Sequence, residues 1–514
     1  MVADVQNNTG GDRTSWLTRE SKMSFTRIRM AAFYWVSRLA RVHPRLENMV
    51  ISLHRHFENL RLTKEFNDRI SKVDPSQYLD MARKPTQNVI ILAIDSLRRS
   101  HMSCEGYPRK TTPFLDSLPT RLAAISASSW TYPAVASILT GMYPHNHNAI
   151  VAGRLKDSAV PGSLRRLRED IVTLPEMMHF LGYNVYFSTA VCVAYYPLRG
   201  RVMPQVYNPT LRADELLIAR AGCLLDDAAD WICEAKDSSF FAYIHLGDLH
   251  VPINPPEGFV DFFGTVDNPP EYGNYAYTTP RMQNSDPEGL ARFRETRRLL
   301  YDNALRYVDS AIEDFWSRLR SMGLADSTIL IVTADHGDEF WEHAELAAAS
   351  FYDKRGRHGT CHGHSVFNEV IEVPILVSTP LPHSESFRYV STVDIAPTVL
   401  DLIGADHFIR FDGRSLLASA GDRPVLSEAP AFGYEKKALI VGRYKLIYSK
   451  DDGVEWVFDL ETDPHEQNPI TDRSVTTVFV DKLNAMLTQD ELERVRQAAA
   501  QRRFRDRAPR SNRP

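Results

Sequence analysis

Residues 88–95 read NVIILAI-Asp. The apolar run does not alternate with polar residues, so neither face of the strand it predicts meets water. That is the pattern of a central strand in a parallel sheet covered on both sides. Working outward, NVYFST (184–189), FFAYIHL (240–246), TILIVTA (328–334) and VPILVS (373–378) predict further strands. Helical stretches at about 211–236, 290–323 and 394–404 lie between or beside them. Strands alternating with helices predict an α/β fold, a mostly parallel sheet flanked by helices, over residues 85–419. After about residue 420 the pattern changes. KALIVG, YKLIYS and EWVFDL follow in quick succession, with Asp-Asp-Gly between the last two. They predict a smaller C-terminal antiparallel sheet subdomain over 420–500, closed by a helix at about 475–500, before a basic tail at 501–514. Residues 1–20 are polar and read as disordered, and 21–84 read as a helical extension.

The chain has 514 residues, 43% hydrophobic and 24% charged, which are ordinary globular values. A net charge of −5 gives no reason to expect a nucleic-acid partner. Five scattered cysteines without a C-x-x-C pair favour a reducing compartment. No basic n-region with an apolar stretch opens the sequence, and no run of about 18 uncharged apolar residues occurs. The expected location is cytoplasmic, with peripheral membrane contact through residues 25–42 as an alternative. There Phe25, Ile28, Ala32, Val36 and Leu39 recur at helical spacing beside Arg27, Arg38 and Arg41. Packing on its own domain or on another subunit of a homo-oligomer is the preferred reading of that segment.

Ligands of parallel sheets bind beyond the carboxyl ends of the strands. Asp95 follows the first strand, Asp335-His336-Gly337 follows TILIVTA, and Gly247-Asp248-Leu249-His250 follows FFAYIHL. Asp95, Asp335 and His336 supply two oxygen donors and one nitrogen donor. With the Thr131 oxygen they complete a candidate site for one divalent metal ion. The nitrogen favours Mn²⁺ or Zn²⁺, with Ca²⁺ as the alternative. Thr131 precedes AVASILTGMYPH, which reads as a helix ending at Thr140-Gly141. A helix N-terminus offers free N–H groups and a positive dipole end to an anion. Taken alone, Thr131 reads as a helix cap; beside a metal it becomes a candidate nucleophile. Histidines are dense in RHGTCHGHS, where His358, His362 and His364 are candidates for a general acid, for substrate-oxyanion donors or for ligands of a second metal. His250, in the proline-stiffened LHVPINPP, lies on the same rim.

Several segments together resemble the sulfatase family of the alkaline phosphatase superfamily, from about Asn88 to about Asn468. NVIILAIDSLRRSHMSCEGYPRKTTPFLDSL is similar to the family's first strand and metal-ligand segment, and SSWTYPAVASILTGMYPHNH to its nucleophile segment. HLGDLHVPINPP, TADHGDEFWEH and HGHSVFNEVIEVPILV resemble its later active-site segments in the family's order. The resemblance implies metal ligation by Asp95, Asp335 and His336, a nucleophile at Thr131, and substrate contacts from His250 and His364. His362 is the second choice, because HGHS lets either histidine take the role.

The departures are chemical. A sulfatase places Cys or Ser, matured to formylglycine, where this chain has Thr131, and Arg where it has Val135. Asp95-Ser96 stands for the family's frequent Asp-Asp, and Asp335-His336 for Asp-Asn. The G-K-W-H-L-G motif with its substrate-binding Lys is absent. A formylglycine hydrate expels sulfate by collapsing to the aldehyde; a threonine ester has to be opened by attack on the central atom. The expected function is therefore a metal-dependent hydrolase of a phosphate or sulfate ester, phosphorus favoured, acting through Thr131. Its substrate is a small-molecule, glycan or lipid ester. A phospho-headgroup transferase and an anion-binding protein without turnover are the alternatives. Loops at about 190–210 and 255–290 are expected to set specificity.

Overall fold

The structure, a computed structural model, describes residues 60–80, 87–153, 155–156, 163–203, 206–207, 219–382, 384–418 and 423–507. Segment 25–42, with its membrane or subunit reading, and the first 20 residues lie outside them. Residues 1–68 and 69–514 are separate compact units. In the first, the described residues 60–68 are helical. No helix among the described residues is long and apolar enough to cross a membrane.

The larger unit is built on an eight-stranded sheet. Its main strands are β1 (Asn88–Ile94), β2 (Thr120–Ile125), β3 (Asn184–Thr189), β4 (Phe240–Leu246), β5 (Thr328–Thr333) and β6 (Glu372–Val377). The order is β2-β6-β5-β1-β4-β3, with the two-residue strands 390–391 and 206–207 at the edges. β1 lies between β4 and β5 and pairs parallel with both, and every residue of β1 and β4 is buried. The central-strand reading of NVIILAI is thus correct, and the sheet is mostly parallel as expected. Strand β6 alone runs against its neighbours, pairing antiparallel with β5 and β2. β2 itself, TRLAAI, escaped the sequence reading because Arg121 and two alanines dilute its apolar signal.

Helices α1 (Thr131–Thr140), α2 (Ala221–Ala235), α3 (Pro287–Ser321) and α4 (Ile395–Leu402) pack around this sheet. The first is buried on all sides, so it belongs to the core and not to a wet surface. Beyond them β7 (Val425–Ser427), β8 (Lys437–Val441), β9 (Tyr444–Ser449) and β10 (Val454–Asp459) form a four-stranded antiparallel sheet. Its side chains alternate as a pleat requires. Ala438, Ile440, Ile447 and Trp456 pack with Phe367 and Val370, while Leu439, Leu446 and Val457 pack with Phe479 and Leu483 of the closing helix α5 (Arg473–Arg507).

Candidate active site

Strand register creates the site. Ala93 of β1 is level with His245 of β4 and with Thr333 of β5. Aligned residues of paired strands face the same way, as do residues two apart along one strand. Asp95 and Asp335, each two positions further on, therefore share a face with His245. The atoms agree. Asp95, His245 and Asp335 bring one donor atom each to within 4.8 Å of one another, all fully buried. His245 Nε2 lies 3.3 Å from Asp335 Oδ2 and 4.0 Å from Asp95 Oδ2. His336 Nε2 closes the group, 3.4 Å from Asp335 Oδ2 and 3.7 Å from Asp95 Oδ1.

His245 was not singled out in the sequence. It sits inside an apolar run, where an imidazole reads as a satisfied core residue. The available signal was its place one residue from the end of an apolar run that reads as a strand buried on both faces. Ser96 explains the departure from paired aspartates. Its hydroxyl donates to Asp95 Oδ1 at 2.9 Å and its backbone N–H to Asp335 Oδ1 at 3.4 Å, so it orients two carboxylates without adding a third.

The donor set fits a divalent cation. Asp95 Oδ2 is buried and accepts no hydrogen bond from a described group, an expensive condition for a carboxylate oxygen unless a cation faces it. Burial alone would raise Asp335; His336 and His245 outweigh it and hold the carboxyl below its ordinary range. Burial alone would lower His336, and Asp335 and Asp95 reverse that and raise it. His336 Nδ1 donates to Gly337 O at 2.8 Å, which leaves Nε2 as the atom that faces the carboxylates, where a bound cation would take the place of its proton. Asp95, Asp335, His245 and His336 would hold the ion.

Thr131 Oγ1 lies 3.2 Å from that same His336 Nε2. The threonine is not the helix cap. Trp130 occupies the cap position with extended backbone, no side-chain cap bond forms, and Thr131 is the first residue of α1. Its hydroxyl is thus turned to the candidate metal ligands, and Trp130 is fixed by its indole N–H donating to Ala429 O at 2.8 Å. The expected ligand set and Thr131 are brought together, with His245 added.

A two-residue ladder pairing Glu339-Phe340 with Thr360-Cys361 folds RHGTCHGHS back onto this group. Gly363, at φ +78°, passes so close to the start of α1 that a Cβ would lie 3.1 Å from Ala431 and 3.3 Å from Trp130. His362 lies against His336 with 4.1 Å between ring centroids and the planes tilted by 37°, and its Nδ1 meets Asp338 Oδ1 at 3.0 Å. Burial and the neighbouring His336 push it down to about 4. His364 is tied by Nε2 to Glu339 at 2.9 Å. The His250 ring stands 5.2 Å from that of His362, with Nδ1 donating to Val251 O at 2.6 Å. Thr131, His250, His362 and His364 line one cavity of about 290 Å³. Asp248, by contrast, accepts from the Ala221 backbone N–H at the start of α2 and is pushed up to about 7 by burial; it is a helix-end acid.

The profile of the sulfatase family matches residues 87–405. The chain belongs to the sulfatase family. This sulfatase-family chain is 24% identical over 369 residues to an extracellular sulfatase SULF-1 homolog of Drosophila melanogaster, covering 65% of the chain but only 31% of the fly protein. It is 21% identical over 442 residues to a sulfatase of Formosa agariphila, covering 74% of the chain and 82% of that protein. Among solved structures, the phosphonate monoester hydrolase of Agrobacterium radiobacter shares the fold with a TM-score of 0.59 at 16% identity, over 79% of this chain and 96% of that one. The family generally carries a divalent metal, in keeping with the Asp-His-Asp cluster.

Proposed function

We propose that this sulfatase-family enzyme hydrolyses its ester through a covalent intermediate on Thr131, and that the ester is one of phosphorus in preference to sulfate. The observation that carries the reading is the Thr131 hydroxyl, at the N-terminus of α1, 3.2 Å from a metal-ligand imidazole and open to the histidine-lined cavity. A divalent cation held by Asp95, Asp335, His245 and His336 would lower the pKa of a neighbouring hydroxyl and withdraw charge from the ester oxygens. Thr131 Oγ attacks the central atom while the free N–H groups of the first helical turn face its anionic oxygens. The bond to the leaving oxygen breaks, and a histidine delivers the proton that oxygen needs. His250 and His364 are the candidates implied by the family, and His362 is the one in ring contact with His336. Water then attacks the same atom and releases Thr131. A threonine has no aldehyde hydrate to collapse, so this second attack is obligatory. It is the route by which phosphoryl esters open readily.

The two imidazoles favour Mn²⁺ or Zn²⁺ over Ca²⁺ at the carboxylate pair. The test is a panel of phosphate monoesters, phosphodiesters, phosphonate monoesters and sulfate monoesters, each with Mn²⁺, Zn²⁺ and Ca²⁺. Quenched reactions are searched by mass spectrometry for a phosphoryl or sulfuryl adduct on Thr131. Undiminished turnover by Thr131→Ala on every ester would end the proposal.

A further inference from the structure

The cavity that Thr131 lines is also lined by Arg355 and Arg357. The segment Asp353-Lys-Arg-Gly-Arg357 forms a turn closed by the Gly356 N–H on Asp353 O at 2.8 Å, with Gly356 at φ +63°. Asp353 is buried and engages Arg355 through three guanidinium contacts at 2.6–3.2 Å. Arg355 is also stacked on Phe432 at 3.3 Å from the ring centre. Its charge is therefore committed to its own loop. Two residues on, Arg357 lines the same cavity, is exposed, and forms no ion pair with a carboxylate among the described residues. Its backbone is held on both sides. The turn fixes it before, and after it the His358 N–H donates to Thr278 O at 2.9 Å while Gln283 Nε2 donates to His358 O at 2.9 Å. No Asp or Glu stands among the residues lining the cavity, whereas Trp130, Val191, Val193 and Phe432 give it an apolar side.

An exposed guanidinium on a held backbone, lining an acid-free, partly apolar cavity, is suited to a planar anion such as a carboxylate. We propose that Arg357 is a specificity-determining residue that selects esters whose leaving group carries a second anionic group beside an apolar body. The inference rests on the proposed function for the place of the first anion, at Thr131, and goes beyond it in naming what the far end of the substrate bears. Oxygen acceptors of other anions would meet the same cation, so the test compares two of them.

The experiment is calorimetric titration of the full-length, metal-loaded protein with non-hydrolysable probes: benzylphosphonate, 4-carboxybenzylphosphonate and 4-sulfobenzylphosphonate. The expected result is that the carboxylated probe binds about fivefold tighter than benzylphosphonate, the size of a partly exposed charge pair. The sulfonated probe should fall between them. Arg357→Ala should abolish the difference, and Arg357→Lys should keep part of it. Equal affinities in the wild type, no binding of any probe, or a preference that survives Arg357→Ala would each overturn the inference. None of these readouts uses turnover, so failure of the Thr131 reading, seen as undiminished hydrolysis by Thr131→Ala, is a separate result.

Discussion

Two buried acidic clusters in this molecule differ in how their charge is met. At the strand ends Asp95 and Asp335 are fully buried, face two imidazoles, and leave Asp95 Oδ2 without a hydrogen bond from any described residue. On the side of the small sheet Glu428 is just as buried, yet every part of it is engaged. It accepts the His145 backbone N–H at 2.8 Å, pairs with His145 Nδ1 at 2.6 Å, and receives Lys437 Nζ. His145 in turn reaches Asp490 of α5 at 3.1 Å. A closed cluster joins elements together; an open one asks for a cation from outside. Both clusters contain carboxylates and histidines, so what separates a site from a strut is whether every buried carboxylate oxygen finds a partner, as Lys437 ensures for Glu428.

The strongest way to break this contrast is to remove what the open cluster serves. Thr131→Ala should lower kcat by at least about a thousandfold, some 4 kcal/mol of barrier, with little change in Tm. Thr131→Ser should retain much of the rate. Steady-state kinetics on the best ester of the panel, with thermal melts alongside, decide the matter.

The closed cluster should behave in the opposite sense. Glu428→Gln leaves Lys437 and His145 facing a neutral amide, and should cost about 3 kcal/mol of stability. Asp95→Asn, measured in the presence of a chelator, should cost nothing or raise Tm, since it relieves an oxygen that lacks a partner. Urea unfolding of both variants with and without metal makes the comparison. Equal destabilisation by the two substitutions would dissolve the distinction between open and closed clusters.

A finer test concerns the residue that register brought into the open cluster. His245→Ala should weaken metal binding by at least about tenfold. His362→Ala, which removes a ring in contact with His336, should leave metal content intact and slow the release of poor leaving groups most. Elemental analysis of the purified variants reads the first effect, and a series of leaving groups reads the second. Normal metal content in His245→Ala would return that residue to the core.

What the sequence disclosed follows the same division. Asp95, Asp335 and His336 were legible because each stands directly behind an apolar run, where a strand end can be counted from the residues. His245 was hidden inside such a run. Its role depends on which strands are neighbours and how they align, and local sequence does not carry that. The antiparallel course of β6 was invisible for the same reason, since VPILV has no direction of its own. The cap at α1 depended on a single residue of backbone geometry: Trp130 takes the extended position, so Thr131 turns inward. In HGHS the spacing allowed either histidine to approach the metal ligands. The close passage of Gly363 over Trp130 places His362 against His336 and ties His364 to Glu339.

The smallest effect is also the most specific to the closed cluster. Burial alone would lower His145; Glu428 and Asp490 outweigh it and raise it to about 10. An unfolded histidine titrates near 6.5. A group whose folded pKa lies above its unfolded one stabilises fully below the unfolded value, and that contribution fades as pH rises through the folded value. His145→Gln should therefore lower stability most below about pH 6.5, and the gap should narrow as pH climbs towards 10 and beyond. The side chain is 20% exposed, so solvent screening keeps the expected gap to about 1 kcal/mol. Lys437 does not confuse the window. Burial would lower it, but Glu428 raises it above its ordinary value, so it stays charged while His145 titrates. Unfolding free energies of wild type and variant at pH 6, 8 and 10.5 give the curve. A gap that is flat across this range would mean that His145 acts through packing alone, and that the strut is held by Lys437 and Glu428 without it.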